Sequence, residues 1–219
     1  MSVSMDHLVV AARTVEEGVD YLRQQLGVSL PAGGKHPRMG THNHLMRVGD
    51  GVFLEVIAID PKAEPPQRPR WFGLDDSAVR RLLDRGPRLH TWVANVPDLS
   101  ARSSRLGACY GTVEAMTRDA LRWDITLPED GQLPGGGLLP TLLQWHTQGH
   151  PSKAMTDLGC CLKQLVLRHN RPDWLRDQLQ QIGAEALVAV EGVGDDRSPS
   201  LCARFETPAG ERWLDSSTT

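Results

Sequence analysis

Apolar and polar positions along the chain fall into a repeated order of short strands and amphipathic helices. Residues 6–12, DHLVVAA, form a mostly apolar run with β-branched support, which predicts a strand. Val15, Val19, Tyr21, Leu22 and Leu26 then give a partly apolar helical face; Thr14 and Glu17 have capping-box spacing, and Gly27 stands where a C-terminal cap belongs. A loop rich in Gly and Pro, PAGGKHPRMG, leads to NHLMRVGDGVFLEVIAI, whose Asp-Gly pair between two apolar runs predicts a hairpin. This first unit reads β-α-(β)-β-β and closes near Ile59.

The plan then repeats. After a proline-rich connector and a short helix in DDSAVRRLLDRG, capped by Asp75 or Asp76, LHTWVANV predicts a strand at 89–96. DLSARSSRLG predicts a helix at 98–107 with Asp98 as its cap, and 121–128 and 137–147 predict two further strands. A third strand–helix pair begins at CCLKQLVLRH, with a helix capped by Asn170 and stopped by Gly183, followed by ALVAVEGV, SLCARFET and a piece around ERWLD. The helices end in Leu26-Gly27, Leu106-Gly107 and Ile182-Gly183. Antiparallel neighbours with helices on one face make this an α+β chain. Its organisation is two modules, about 5–60 and 88–148, within residues 1–150, and a third unit, complete or partial, over 157–215 that extends the scaffold or covers one mouth.

Composition narrows the function classes. The 219 residues, 40% hydrophobic and 23% charged, are enough for a proper core. Net charge is −3 with Lys and Arg scattered, which argues against nucleic acid as the main partner. No apolar run reaches the ~18 residues of a membrane span, so a membrane role is not expected and the cytoplasm is the default location. The four cysteines lack C-x-x-C spacing, so they read as free thiols.

Strand phase points to the chemistry. His7, Val9 and Ala11 share one face of the opening strand, and Phe53, Glu55 and Ile57 one face of the closing strand. A carboxylate among FLEVIAI is costly to bury unless it is paired or metal-bound; alternatively an edge strand presents Glu55 to water. In the second unit His90, Trp92 and Ala94 share a face, as do Leu142, Gln144 and His146. His nitrogen and carboxylate oxygen suit Zn, Fe, Ni or Mn. The loop at 34–44 gathers His36, His42 and His44 beside Arg38 and Asn43: His36 and Asn43 could orient a polar ligand and Arg38 receive an anion. His146 and His150 flank the end of another strand, and Trp92 is the preferred aromatic wall among Trp71, Trp92, Trp123 and Trp145.

The stretches DHLVVAARTVEEGVDYLRQQLGV, GGKHPRMGTHNHLMRVGDGVFLEVIAID, PRWFGL and LPGGGLLPTLLQWHTQGHP resemble glyoxalase-like proteins of the vicinal oxygen chelate superfamily, over most of the chain. The resemblance implies repeated β-α-β-β-β modules whose curved mixed sheets enclose a cavity, with helices on the outer face. It implies a single divalent metal (Zn, Ni, Mn or Fe) held by His7, Glu55 and His90, with Gln144 where an acidic ligand is usual, and Glu55 as the catalytic base. It also admits a homodimer. The expected function is a metal-dependent lyase, isomerase or dioxygenase acting on a small oxygen-rich molecule; the alternative is a metal-free small-molecule binding or resistance protein.

Overall fold

The computed structural model describes residues 2–216. Its first module runs β1 (Ser4–Ala11), α1 (Val15–Leu26), β2 (Ala32–His36), β3 (Thr41–Gly49) and β4 (Val52–Ile59). A connector containing α2 (Ser77–Leu83) leads to the second: β5 (Arg88–Asn95), α3 (Leu99–Arg102), β6 (Thr112–Arg118), β7 (Leu121–Leu127) and β8 (Thr141–Trp145). The eight strands form one curled mixed sheet in the order β2-β3-β4-β1-β5-β8-β7-β6. Each opening strand lies parallel to its closing strand, and β1 and β5 join the modules antiparallel. This is the expected α+β architecture.

Local chemistry explains most element ends. Thr14 accepts the Glu17 N–H at the start of α1, Asp76 accepts the Ala78 N–H at the start of α2, and Gly27 and Gly183 close α1 and the last helix in the left-handed region. The second module departs from the pattern. α3 covers only Leu99–Arg102, and Asp98, at φ 56°, makes no capping bond. The Gln144 side-chain oxygen accepts the Leu99 N–H instead, at 2.8 Å. β6 carries no strand signal in the sequence, because its apolar positions are too sparse to stand out, and β2 forms inside the Gly/Pro-rich loop.

The third unit comprises β9 (Cys161–His169), α4 (Pro172–Ile182), β10 (Ala189–Gly192), β11 (Ser200–Thr207) and β12 (Gly210–Asp215). Asn170 does not cap α4: Arg171 is the N-cap residue, without a side-chain bond, and Pro172 opens the helix. Its sheet runs β10-β9-β11-β12, so the unit does not repeat the module topology.

The main sheet separates two cores. Leu8, Val10, Leu54, Val56, Trp92, Ala94 and Leu142 face outward, where they pack with α1, α4 and the third unit through Leu22, Leu179, Leu201 and Phe205. Val9, Ala11, Ile57, Val93, Ile125 and Leu143 face inward and pack with Trp71, Phe72 and Trp123. The third unit therefore covers the convex face, and the concave face is left for the site.

Candidate functional site

The concave face encloses a cavity of about 500 Å³, counting space open to solvent at its mouth. Its walls are largely apolar and aromatic: Phe53, Trp71, Phe72, Trp123 and Trp145. The Trp71 and Phe72 rings stack at 5.6 Å and the Trp123 and Trp145 rings lie 5.3 Å apart. His7, His36, Asn43, Glu55 and Arg118 supply the polar groups in the lining. This composition, apolar walls with a few convergent polar groups, is that of a small-molecule site.

His7 has a carboxylate behind it. Asp6, fully buried, accepts the His7 Nδ1–H at 2.6 Å on one oxygen; the other takes the Trp145 Nε1–H at 2.7 Å and the His150 Nε2–H at 3.0 Å. Burial pulls the Asp6 pKa up, but the hydrogen bonds and charges of His150 and His7 outweigh it and hold the group below the ordinary aspartate value. With Nδ1 committed to Asp6, a neutral His7 carries its proton there and presents a bare Nε2. The His7 ring stacks on Phe53 at 4.3 Å, which fixes its plane.

Glu55 stands 3.6 Å from His7 Nε2, beyond hydrogen-bond reach. Its other oxygen accepts the Asn43 amide N–H at 2.6 Å, and the Asn43 oxygen accepts the Gly34 N–H at 2.8 Å. Asn43 thus orients Glu55 without neutralising it, and Nε2 and the second Glu55 oxygen are both left facing the cavity.

The edge strands β2 and β6 approach each other across the curl. Arg38, just beyond β2, donates to the Ala115 carbonyl at 2.8 Å and, with Arg68, grips the Glu114 carboxylate. Arg118 Nη1 donates to His36 Nε2 at 3.0 Å, and His36 Nδ1–H donates to Thr41 Oγ1 at 3.1 Å. Burial, reinforced by the Arg118 charge, pushes the His36 pKa down to about 3, so His36 is a neutral acceptor.

Several expected site residues lie elsewhere. His90 donates its Nε2–H to the Phe72 carbonyl at 2.7 Å, and burial pushes its pKa down to about 4. It braces Phe72, which holds an unusual φ of 58° in the cavity wall. Gln144 faces outward and caps α3. Trp92 is wholly buried in the outer core, its indole N–H on the Leu138 carbonyl. His146 is exposed and pairs with Asp124, and Arg38 serves the closure of the sheet. His150 stands behind the cavity, on Asp6. Asp6 and Arg118, central here, were missed by sequence reasoning.

The donor set does not fit the implied metal. His7 and Glu55 offer two donors where catalytic sites ordinarily have three protein ligands. His90 and Gln144 are committed to backbone groups outside the cavity. Among the described residues no three His, Cys, Asp or Glu side chains are grouped as metal ligands.

Paired modules around one cavity define the vicinal oxygen chelate architecture. The model of the glyoxalase-like domain family matches residues 5–183, and the chain belongs to that family. A hypothetical protein from Staphylococcus aureus is similar in structure (TM-score 0.59, 12% identity, 97% of this chain and 85% of that one), a likeness of fold. Methylmalonyl-CoA epimerase from Mycobacterium tuberculosis is a more distant neighbour (TM-score 0.42, 19% identity, 69% and 91% covered). No curated protein matches the sequence. No helix among the described residues is long and apolar enough to cross a membrane.

Proposed function

We propose that the cavity binds a small, largely apolar carbonyl compound and that His7 moves a proton on it without a metal, as in an isomerase or lyase half-reaction. The observation that carries this reading is the buried Asp6–His7 pair, whose Nε2 lies 3.6 Å from Glu55 in an aromatic cavity. Nε2 takes a proton from the carbon beside the carbonyl; the C–H electron pair moves into the C–C–O system, giving an enolate. The imidazolium then lies between the Asp6 and Glu55 carboxylates, which stabilise its charge in a water-poor site. Return of the same proton to another atom of the enolate completes an isomerisation with no other reactant. Glu55 is a positioning and charge-stabilising group in this scheme.

Solvent deuterium exchange tests it. EDTA-treated protein should catalyse deuterium incorporation beside the carbonyl of a phenyl-substituted alkyl ketone such as benzylacetone, and His7→Gln should lower the rate roughly 100-fold or more. Exchange that survives His7→Gln, or that appears only after a divalent metal is added, would refute the scheme.

A further inference from the structure

We propose that Arg118 is a carboxylate anchor, so that the cavity's ligand is an apolar, aromatic-sized organic acid; this builds on the cavity reading above. Arg118 lines the cavity, is half-buried, and forms no ion pair among the described residues. Its neighbours at the sheet closure differ: Arg38 and Arg68 share Glu114, and Arg70 is paired with Asp75.

The contact Arg118 does make cannot satisfy it. His36 is neutral and accepts a single Nη1–H, which steers the guanidinium without cancelling its charge. Four of its five N–H donors stay available, and one guanidinium edge matches a carboxylate with two parallel bonds. A single arginine suits a carboxylate better than a phosphate, whose higher charge usually draws several cations.

Two adjacent glycines in β2 mark the arrangement as built. A Cβ on Gly34 would lie 3.2 Å from Arg118 Cδ and Nε and 3.3 Å from Cζ; one on Gly33 would lie 2.3 Å from the Asn43 side-chain oxygen. Neither glycine has a positive φ, so neither is required by the backbone. Each makes room for a polar side chain of the cavity: Asn43, which holds Glu55, and Arg118.

Charge also sets the ligand's direction. Asp6 and Glu55 are more deeply buried than Arg118 and would repel an anion, whereas the half-buried Arg118 would attract it. The acid group is held at Arg118 and the carbonyl end reaches His7.

Binding of matched acids and amides decides the matter: phenylpropanoate and naphthylacetate against phenylpropanamide and naphthylacetamide, followed by tryptophan fluorescence and calorimetry. Wild-type protein should prefer each acid roughly 10- to 100-fold, a preference that shrinks with salt. Arg118→Gln should abolish the preference, lowering acid affinity much more than amide affinity, and Gly34→Ala, which keeps the charge but displaces the guanidinium, should reduce it. Circular dichroism and melting of the variants check that they are folded. Equal binding of acids and amides, or a preference that survives Arg118→Gln, overturns the anchor and leaves the cavity reading standing. Acid preference without His7-dependent exchange leaves the anchor and removes the proton-transfer scheme. Failure of every probe to bind overturns both.

Discussion

Replacing Asp6 by asparagine changes one buried atom and one charge, and the structure fixes what must follow. Asp6 accepts three N–H groups, from His7, Trp145 and His150. The indole cannot change its donor role, and His150 must donate from Nε2 because its Nδ1 accepts the Ser152 backbone N–H. The amide oxygen of Asp6→Asn therefore faces Trp145 and His150, and its NH2 faces His7. His7 must then accept at Nδ1 and carry its proton on Nε2, the reverse of its tautomer in the wild type. Hydrogen bonds to a charged acceptor contribute roughly 1 kcal/mol more than neutral ones, so three weakened bonds cost about 3 kcal/mol. Relief of carboxylate desolvation returns part of this, leaving about 2–3 kcal/mol, or a melting temperature lower by roughly 5–10 °C for a chain of this size. Long-range proton–nitrogen NMR of the imidazoles reads the tautomer directly, and calorimetry reads the melt. A variant whose His7 keeps its proton on Nδ1 and whose melting temperature falls by less than about 2 °C would refute the account of Asp6.

Two further outcomes follow from the same geometry. His36 and His90 are held at about 3 and about 4, below the unfolded value of 6.5, so as pH falls the unfolded chain takes up protons first. Their contribution is complete above about pH 6.5 and is lost as pH falls toward the folded values, by up to ~1.4 kcal/mol per unit for each histidine; a urea midpoint that stays flat between about pH 7 and pH 4.5 would contradict this. Added Zn, Ni, Mn or Fe(II) should leave the melting temperature of EDTA-treated protein unchanged, since the cavity supplies two suitable donors; stabilisation by several degrees that is lost in His7→Gln would show that a third donor is recruited.

The first module was readable because its strands keep a simple phase. His7, Val9 and Ala11 do share the concave face, and Glu55 is opposite Val9 on β4, so a carboxylate in an apolar run pointed correctly to a cavity. Asn43 and His36 were legible from a glycine-rich loop. Arg118 was not, because β6 carries too few apolar residues to show itself and its arginine reaches the cavity only through closure of the curl, a long-range event. In the second module Leu142, Gln144 and His146 share a face as expected, but it is the outer face. A shift of one residue in strand phase exchanges every inward side chain for an outward one, so the sequence pattern alone does not say whether Gln144 and His146 face the cavity.

Asp6 and His90 fail the phase rule for the same reason. Between the pairs Met5–Ala94 and His7–Val93 strand β1 has one extra residue, Asp6; between Val9–Thr91 and Val10–Leu89 strand β5 has one extra, His90. Each is the unpaired residue of a bulge, free of the alternation that governs its neighbours. In regular alternation Asp6 would lie opposite in face to His7, among the apolar groups beneath α1, as an unpaired buried carboxylate. The bulge brings it to the side of His7, Trp145 and His150, and so removes that cost and orients the imidazole together. At His90 the same device has the opposite effect: it directs the ring to the Phe72 carbonyl and takes it out of ligand range. The two modules share a topology, but the bulge in the first sets a carboxylate beside His7 and the bulge in the second turns His90 to the Phe72 carbonyl of the cavity wall, a division that follows from backbone registry and not from which residue types each strand contains.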